Sequence, residues 1–120
     1  LSEPPYSEGE GDRYDLSLPA EDVELVRRVR GQCDVLVLVI YSGRPLIIGD
    51  VLDSCDAVVA AWLPGTEANG VADVLFGTQP FSGRLPYDWP ETMDQVMSRN
   101  GHAPLFPISY GLTTAGRPPD

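Results

Sequence analysis

An α/β fold, a mostly parallel sheet flanked by helices, is what this sequence predicts. Two apolar runs, Val35 to Tyr41 and Ala57 to Leu63, are unalternated, rich in β-branched residues and too short for typical helices. Runs of that kind read as strands buried on both faces of a parallel sheet. A helical pattern precedes each run or follows it, and that alternation is the α/β signature. With 120 residues the chain is at most one domain, taken as 1–120.

The elements follow in order. Residues 3–15 are a loop, because Pro4, Pro5, Gly9 and Gly11 break any regular element. Leu16 to Leu18 is short and apolar. Residues 20–30 read as a helix that Pro19 introduces. Glu21, Asp22 and Glu24 lie near its start and Arg27, Arg28 and Arg30 near its end, as the helix dipole favours. Leu25, Val26 and Val29 form its apolar face, and Gly31 stops it. After the 35–41 strand come Ser42-Gly43-Arg44-Pro45, an extended piece at 46–48, and a helical turn or two at 51–55. The 57–63 strand ends at Pro64-Gly65. Thr66 is expected to cap a helix running through Phe76, with Gly77 as its stop. Prolines at 80, 86, 90, 104 and 107 then exclude long elements. Short edge strands at 83–87 and 106–110 and an irregular tail at 115–120 complete the expectation. Val37, Val39, Val59 and Ala61 are expected to be nearly fully buried. Two strands needing neighbours on both sides, in a chain that opens on a loop, suggest a partial domain lacking its first strand. An exposed edge of that kind predicts self-association of the isolated chain.

The charge excludes several functions. Eight basic and 18 acidic residues give a formal charge of −10. That argues against nucleic acid and anionic membrane surfaces, both of which require basic patches. No apolar run approaches the roughly 20 residues of a membrane span. Cys33 and Cys55 read as free thiols in preference to a disulfide. One histidine and no Cys-x-x-Cys give no basis for a metal site, and no cofactor motif is present.

Several residues have chemistry to offer. Glu8, Glu10 and Asp12 are carboxylates on one flexible loop, and composition does not separate them. Asp12 suits loop shaping through side-chain to backbone bonds. Glu3 either positions the loop or is solvated. Arg44 follows a parallel strand, where α/β sheets gather ligand loops. It either contacts a carboxylate and fixes the loop, or makes a structural ion pair. Thr66-Glu67 suits ordinary capping better than anion binding, because phosphate-loop glycine spacing is absent. Ser42 and His102 lack the Gly-x-Ser-x-Gly context of a hydrolase nucleophile. Trp62 lies in a buried run and reads as core. Trp89 is open between core packing and stacking on a ligand.

Five segments carry a resemblance. They are Glu3 to Asp12, Ser42 to Leu46, Asp56 to Gly77 (with Ala60-Ala61-Trp62-Leu63-Pro64-Gly65-Thr66-Glu67), Phe81-Ser82-Gly83-Arg84-Leu85-Pro86, and Pro104 to Leu112. In order and spacing they resemble the second, C-terminal domain of glycoside hydrolase family 3, in the β-glucosidase and exo-β-glucanase branch. The resemblance implies an α/β sandwich and retaining hydrolysis of β-glucosidic bonds in a β-glucoside or β-glucan oligosaccharide. It implies that Glu8, after the Pro-Tyr-Ser step, is the acid/base. The nucleophile would lie on an N-terminal barrel domain absent from these residues, along with most sugar-recognising groups, so the chain alone should be inactive. No metal or organic cofactor is implied, and a secreted or periplasmic setting is favoured. The rival expectation is a non-catalytic α/β binding or interaction module.

Overall fold

The computed structural model of the chain describes residues 1–4, 6, 8–98 and 102–114. The expected tail at 115–120 lies outside the described residues, as do Pro5 and Ser7 of the opening loop.

The first helix, α1, spans Ala20–Arg30, the span that its charge asymmetry and Gly31 predict. Its buried residues are Val23 and Val26, while Leu25 is exposed. The inward face is therefore turned toward the i, i+3 pair rather than centred on Leu25. Strand β1 is Val37–Ile40 and β2 is Ala57–Ala60, each shorter than the apolar run that contains it. They pair in parallel, Val37 opposite Ala57 through Ile40 opposite Ala60. The crossover between them carries a one-turn helix, α2, Gly49–Leu52.

The opening residues are not purely loop. Ser2 bridges Tyr41 in parallel. The Tyr41 N–H donates to the Leu1 carbonyl (3.0 Å) and the Glu3 N–H to the Tyr41 carbonyl (2.8 Å). Meanwhile the Ala61 N–H reaches the Ile40 carbonyl at 2.9 Å, on the β2 side. Leu1–Glu3 thus lines the edge of β1 opposite to β2. Ser17 makes a second parallel bridge with Ile47, within the extended piece expected at 46–48.

One core forms from Val23, Val26, Leu38, Ile40, Leu46, Ile48, Val51 and Trp89. Leu38 and Ile40 alternate onto one sheet face, with their partners Val58 and Ala60 packed against the same cluster. The expected burial of Val37, Val39, Val59 and Ala61 is corrected. Val37 is 43% exposed, and the other three are half-buried. Val37, Val39 and Val59 alternate onto the other face of the sheet, which the core does not cover.

The third helical region also departs from expectation. Gly65–Glu67 is a 3-10 turn, and α3 runs only over Asn69–Leu75. Thr66 makes no cap bond, because the turn at Gly65 (φ 57°) places it inside the 3-10 segment rather than ahead of the helix. Beyond it, residues 85–89 and 106–110 meet as an irregular ribbon. The Leu85 N–H donates to the Tyr110 carbonyl (2.9 Å), and Trp89 and Phe106 exchange both backbone bonds. The expected 83–87 and 106–110 segments do meet, but not as strands, since Pro86, Pro90 and Pro107 cannot donate to a ladder. A short helix, α4, Met93–Ser98, occupies the gap between prolines. Trp89 ties this ribbon to the core: it is 3% exposed, and its indole N–H donates to the Leu46 carbonyl at 2.9 Å. That decides its role as core packing rather than sugar stacking.

Candidate active site

Parallel sheets place ligand loops beyond the carboxyl ends of their strands. Leu1–Glu3 runs parallel to β1 and reaches Tyr41 at Ser2, so the loop that follows leaves at that end. Ser42–Pro45 leaves β1 there, and Ala61–Gly65 leaves β2 there. Three chain segments therefore converge on one edge.

On the first of them, Glu8 is exposed in extended backbone, φ −137° and ψ 164°, immediately before a 3-10 turn at Gly9–Gly11. The Gly11 N–H donates to the Glu8 carbonyl (3.3 Å) and the Asp12 N–H to the Gly9 carbonyl (3.1 Å). Gly9 has φ 62°, a conformation that suits glycine. Gly11 is needed for a different reason: a Cβ there would run into the Tyr6 carbonyl. Glu10 and Asp12 are exposed beside Glu8. Asp15 ends the loop in a side-chain turn, accepting from the Ser17 N–H at 2.9 Å. Hydrogen bonds from Ser17, side chain then backbone, hold the Asp15 carboxyl below its usual range.

Glu3 and Arg44 meet at the loop's base. The Glu3 side chain is only 4% exposed, and its Oε1 accepts from Arg44 Nε (3.1 Å) and Nη2 (2.7 Å). Arg44 Nη2 also donates to the Gly11 carbonyl at 2.7 Å. Arg13 approaches the same Glu3 Oε1 at 3.1 Å. Both readings of Arg44 thus merge, since its ion pair is with the loop. The solvated reading of Glu3 is excluded. Arg13 was not singled out in the sequence, where nothing marks it except a position near the loop's end.

The remaining candidates stay apart. Ser42 is buried, and its hydroxyl donates to the Arg44 carbonyl at 2.7 Å, shaping its own turn. His102 is exposed. The Thr66 hydroxyl lies 3.4 Å from the Glu67 carboxylate. Trp62 is half-buried with φ 53°, its ring edge-on to Tyr87 (5.7 Å, 76°) and tilted to Trp89 (5.9 Å, 42°). Both thiols are free, and burial pushes that of Cys55 up. Among the described residues no three His, Cys, Asp or Glu side chains gather as a metal site.

Residues 1–114 match the family model described as the glycosyl hydrolase family 3 C-terminal domain. The chain belongs to that family. It is 36% identical to the lysosomal beta glucosidase of Dictyostelium discoideum over 94% of its own length. Among solved structures it superposes on the exo-1,3/1,4-beta-glucanase of a Pseudoalteromonas species with a TM-score of 0.82 and 39% identity, covering 93% of this chain and 16% of that one. A beta-glucosidase from Listeria innocua in complex with isofagomine gives a TM-score of 0.82 at 27% identity, over 94% of this chain and 20% of that one. The chain spans only 15% of the length of the Dictyostelium relative. These likenesses establish the α/β domain of family 3 glycoside hydrolases.

Proposed function

We propose that this chain is the acid/base-donating domain of a retaining β-glucosidase or exo-β-glucanase, and that Glu8 is the acid/base. The carrying observation is the exposed residue Glu8 on a loop at the carboxyl edge of the parallel sheet, with the loop's base tied down by Glu3 and Arg44. The names of its relatives support a β-glucoside or β-glucan substrate, although two relatives are named as xylosidases, so the sugar rests on the partner domain.

Retaining hydrolysis uses two carboxyl groups roughly 5–5.5 Å apart. The nucleophile, on a barrel domain outside these residues, attacks the anomeric carbon as Glu8 gives its proton to the departing glycosidic oxygen. Glu8, now a carboxylate, takes a proton from water as that water displaces the nucleophile. The chain alone lacks that second carboxylate and is inactive. It also self-associates through an open edge of its two-stranded sheet, and light scattering across concentration measures this.

The test is a chimaera in which residues 1–114 replace the corresponding segment of the Pseudoalteromonas exo-glucanase. The chimaera should hydrolyse an aryl β-glucoside while the 120-residue chain does not. Hydrolysis by the chain alone, or a folded but inert chimaera, would contradict the reading.

A further inference from the structure

We infer that Arg44 is a positioning residue, a staple across the base of the Glu8 loop that fixes where the Glu8 carboxyl stands. The inference rests on the acid/base reading of Glu8. Its evidence is a single guanidinium bonded on both sides of Glu8 within the loop. Nε and Nη2 grip the Glu3 carboxylate where the loop begins, and Nη2 also holds the Gly11 carbonyl where the 3-10 turn after Glu8 ends. Closure at this point is tight, since Gly11 lies against the Tyr6 backbone with no room for a Cβ. Only a planar fork on a long stem makes these bonds together, and a lysine ammonium does not reproduce them.

Two further observations favour geometry over stability as the purpose. Glu3 Oε2 is buried with no hydrogen-bond partner among the described residues, while Oε1 accepts from two arginines. A half-bonded buried carboxylate is a poor stabiliser, and well-packed apolar side chains often do as well or better. It does, however, tie a loop to one register. The staple's anchor is equally specific. Arg44 sits in the turn directly after β1, with the Ser42 hydroxyl holding the Arg44 carbonyl. The loop is thereby referenced to the sheet and not to another surface loop.

The test is backbone 15N relaxation on the 120-residue chain and its Arg44→Lys variant, which keeps the charge facing Glu3. A second variant, Glu3→Gln with Arg44→Met, leaves no buried charge unpaired and guards against misfolding of the first. In the parent, order parameters at Gly11 and Asp12 should be close to the rigid value of about 0.85. In both variants they should fall below about 0.6 from Gly9 to Asp12, while Val26 and Ile40 keep parent values. In the chimaera, Arg44→Lys should lower kcat on an unactivated disaccharide about tenfold, as expected for one lost charge-assisted bond, with KM unchanged. Parent-like order parameters in both variants would overturn the staple, as would loosening spread over the whole fold. The Glu8 reading fails separately, by full disaccharide activity of the Glu8→Gln chimaera. With a loosened loop in Arg44→Lys, that result would leave Arg44 ordering a loop without the acid and would overturn its positioning role.

Discussion

Replacing Trp89 with Phe should destabilise the domain by about 2–5 kcal/mol. Trp89 is 3% exposed, at the point where the ribbon of residues 85–89 and 106–110 enters the core. Its indole N–H is bonded to the Leu46 carbonyl, and Leu46 is itself 3% exposed. Phe removes that donor and leaves a buried carbonyl unsatisfied, which costs about 1–3 kcal/mol. The missing ring atoms add roughly 1–2 kcal/mol of lost burial and cavity. Urea unfolding followed by far-ultraviolet circular dichroism measures the change as a shift in midpoint at constant slope. A surface tryptophan used only for stacking on sugar would change stability by no more than about 0.5 kcal/mol. A shift that small would refute the core assignment of Trp89 and the tie between the ribbon and the sheet.

Further consequences are open to simple measurement. Ile40→Ala should cost about 2–5 kcal/mol, and Val37→Ala far less, because Ile40 is fully buried and Val37 is 43% exposed. Equal losses in urea midpoint would mean that both sheet faces are covered. The Asp56 carboxyl is held below its usual range by the Leu36 N–H first and by Arg30 second. Its folded pKa lies below the unfolded one, so its stabilisation is complete above about pH 4 and is lost as pH falls through the folded value. Asp56→Asn should therefore flatten the acid side of a plot of Tm against pH, and an unchanged acid side would show that the Arg30–Asp56–Leu36 link contributes nothing. Alkylation without reductant should label both thiols, with Cys55 the slower, since burial raises its pKa and lowers its thiolate fraction. A mass two units low with no label would show a disulfide instead.

How much of this was legible in the sequence depends on whether the cause was local. Helix α1 is placed by Pro19, an acid-to-base gradient and Gly31, all within eleven residues or adjacent to them, and its bounds match. The two strands are visible because β-branched runs are scarce outside sheets. Which face of each strand is covered is a tertiary fact. An unalternated run such as Val35–Tyr41 has apolar residues for both faces and does not say that α1 and α2 close only one. The Thr66 cap fails because Gly65 adopts a positive φ, which no spacing rule reveals. At the site, Glu8 is legible through its motif and loop composition. The Glu3–Arg44–Gly11 arrangement spans 41 residues for the ion pair, and only the fold brings its members together.

The central claim, that Glu8 supplies and retrieves the proton, is tested most directly by Glu8→Gln in the chimaera on glycosides of graded leaving-group ability. Glutamine keeps the shape and removes the proton. Hydrolysis of an unactivated disaccharide should fall by about 10²–10⁴-fold, the usual worth of general acid/base assistance. The first step with a good leaving group should suffer less, and added azide should restore turnover by replacing base-assisted water. Intact disaccharide hydrolysis in Glu8→Gln, with loss in Glu10→Gln or Asp12→Asn, would contradict the account and move the role to that neighbour.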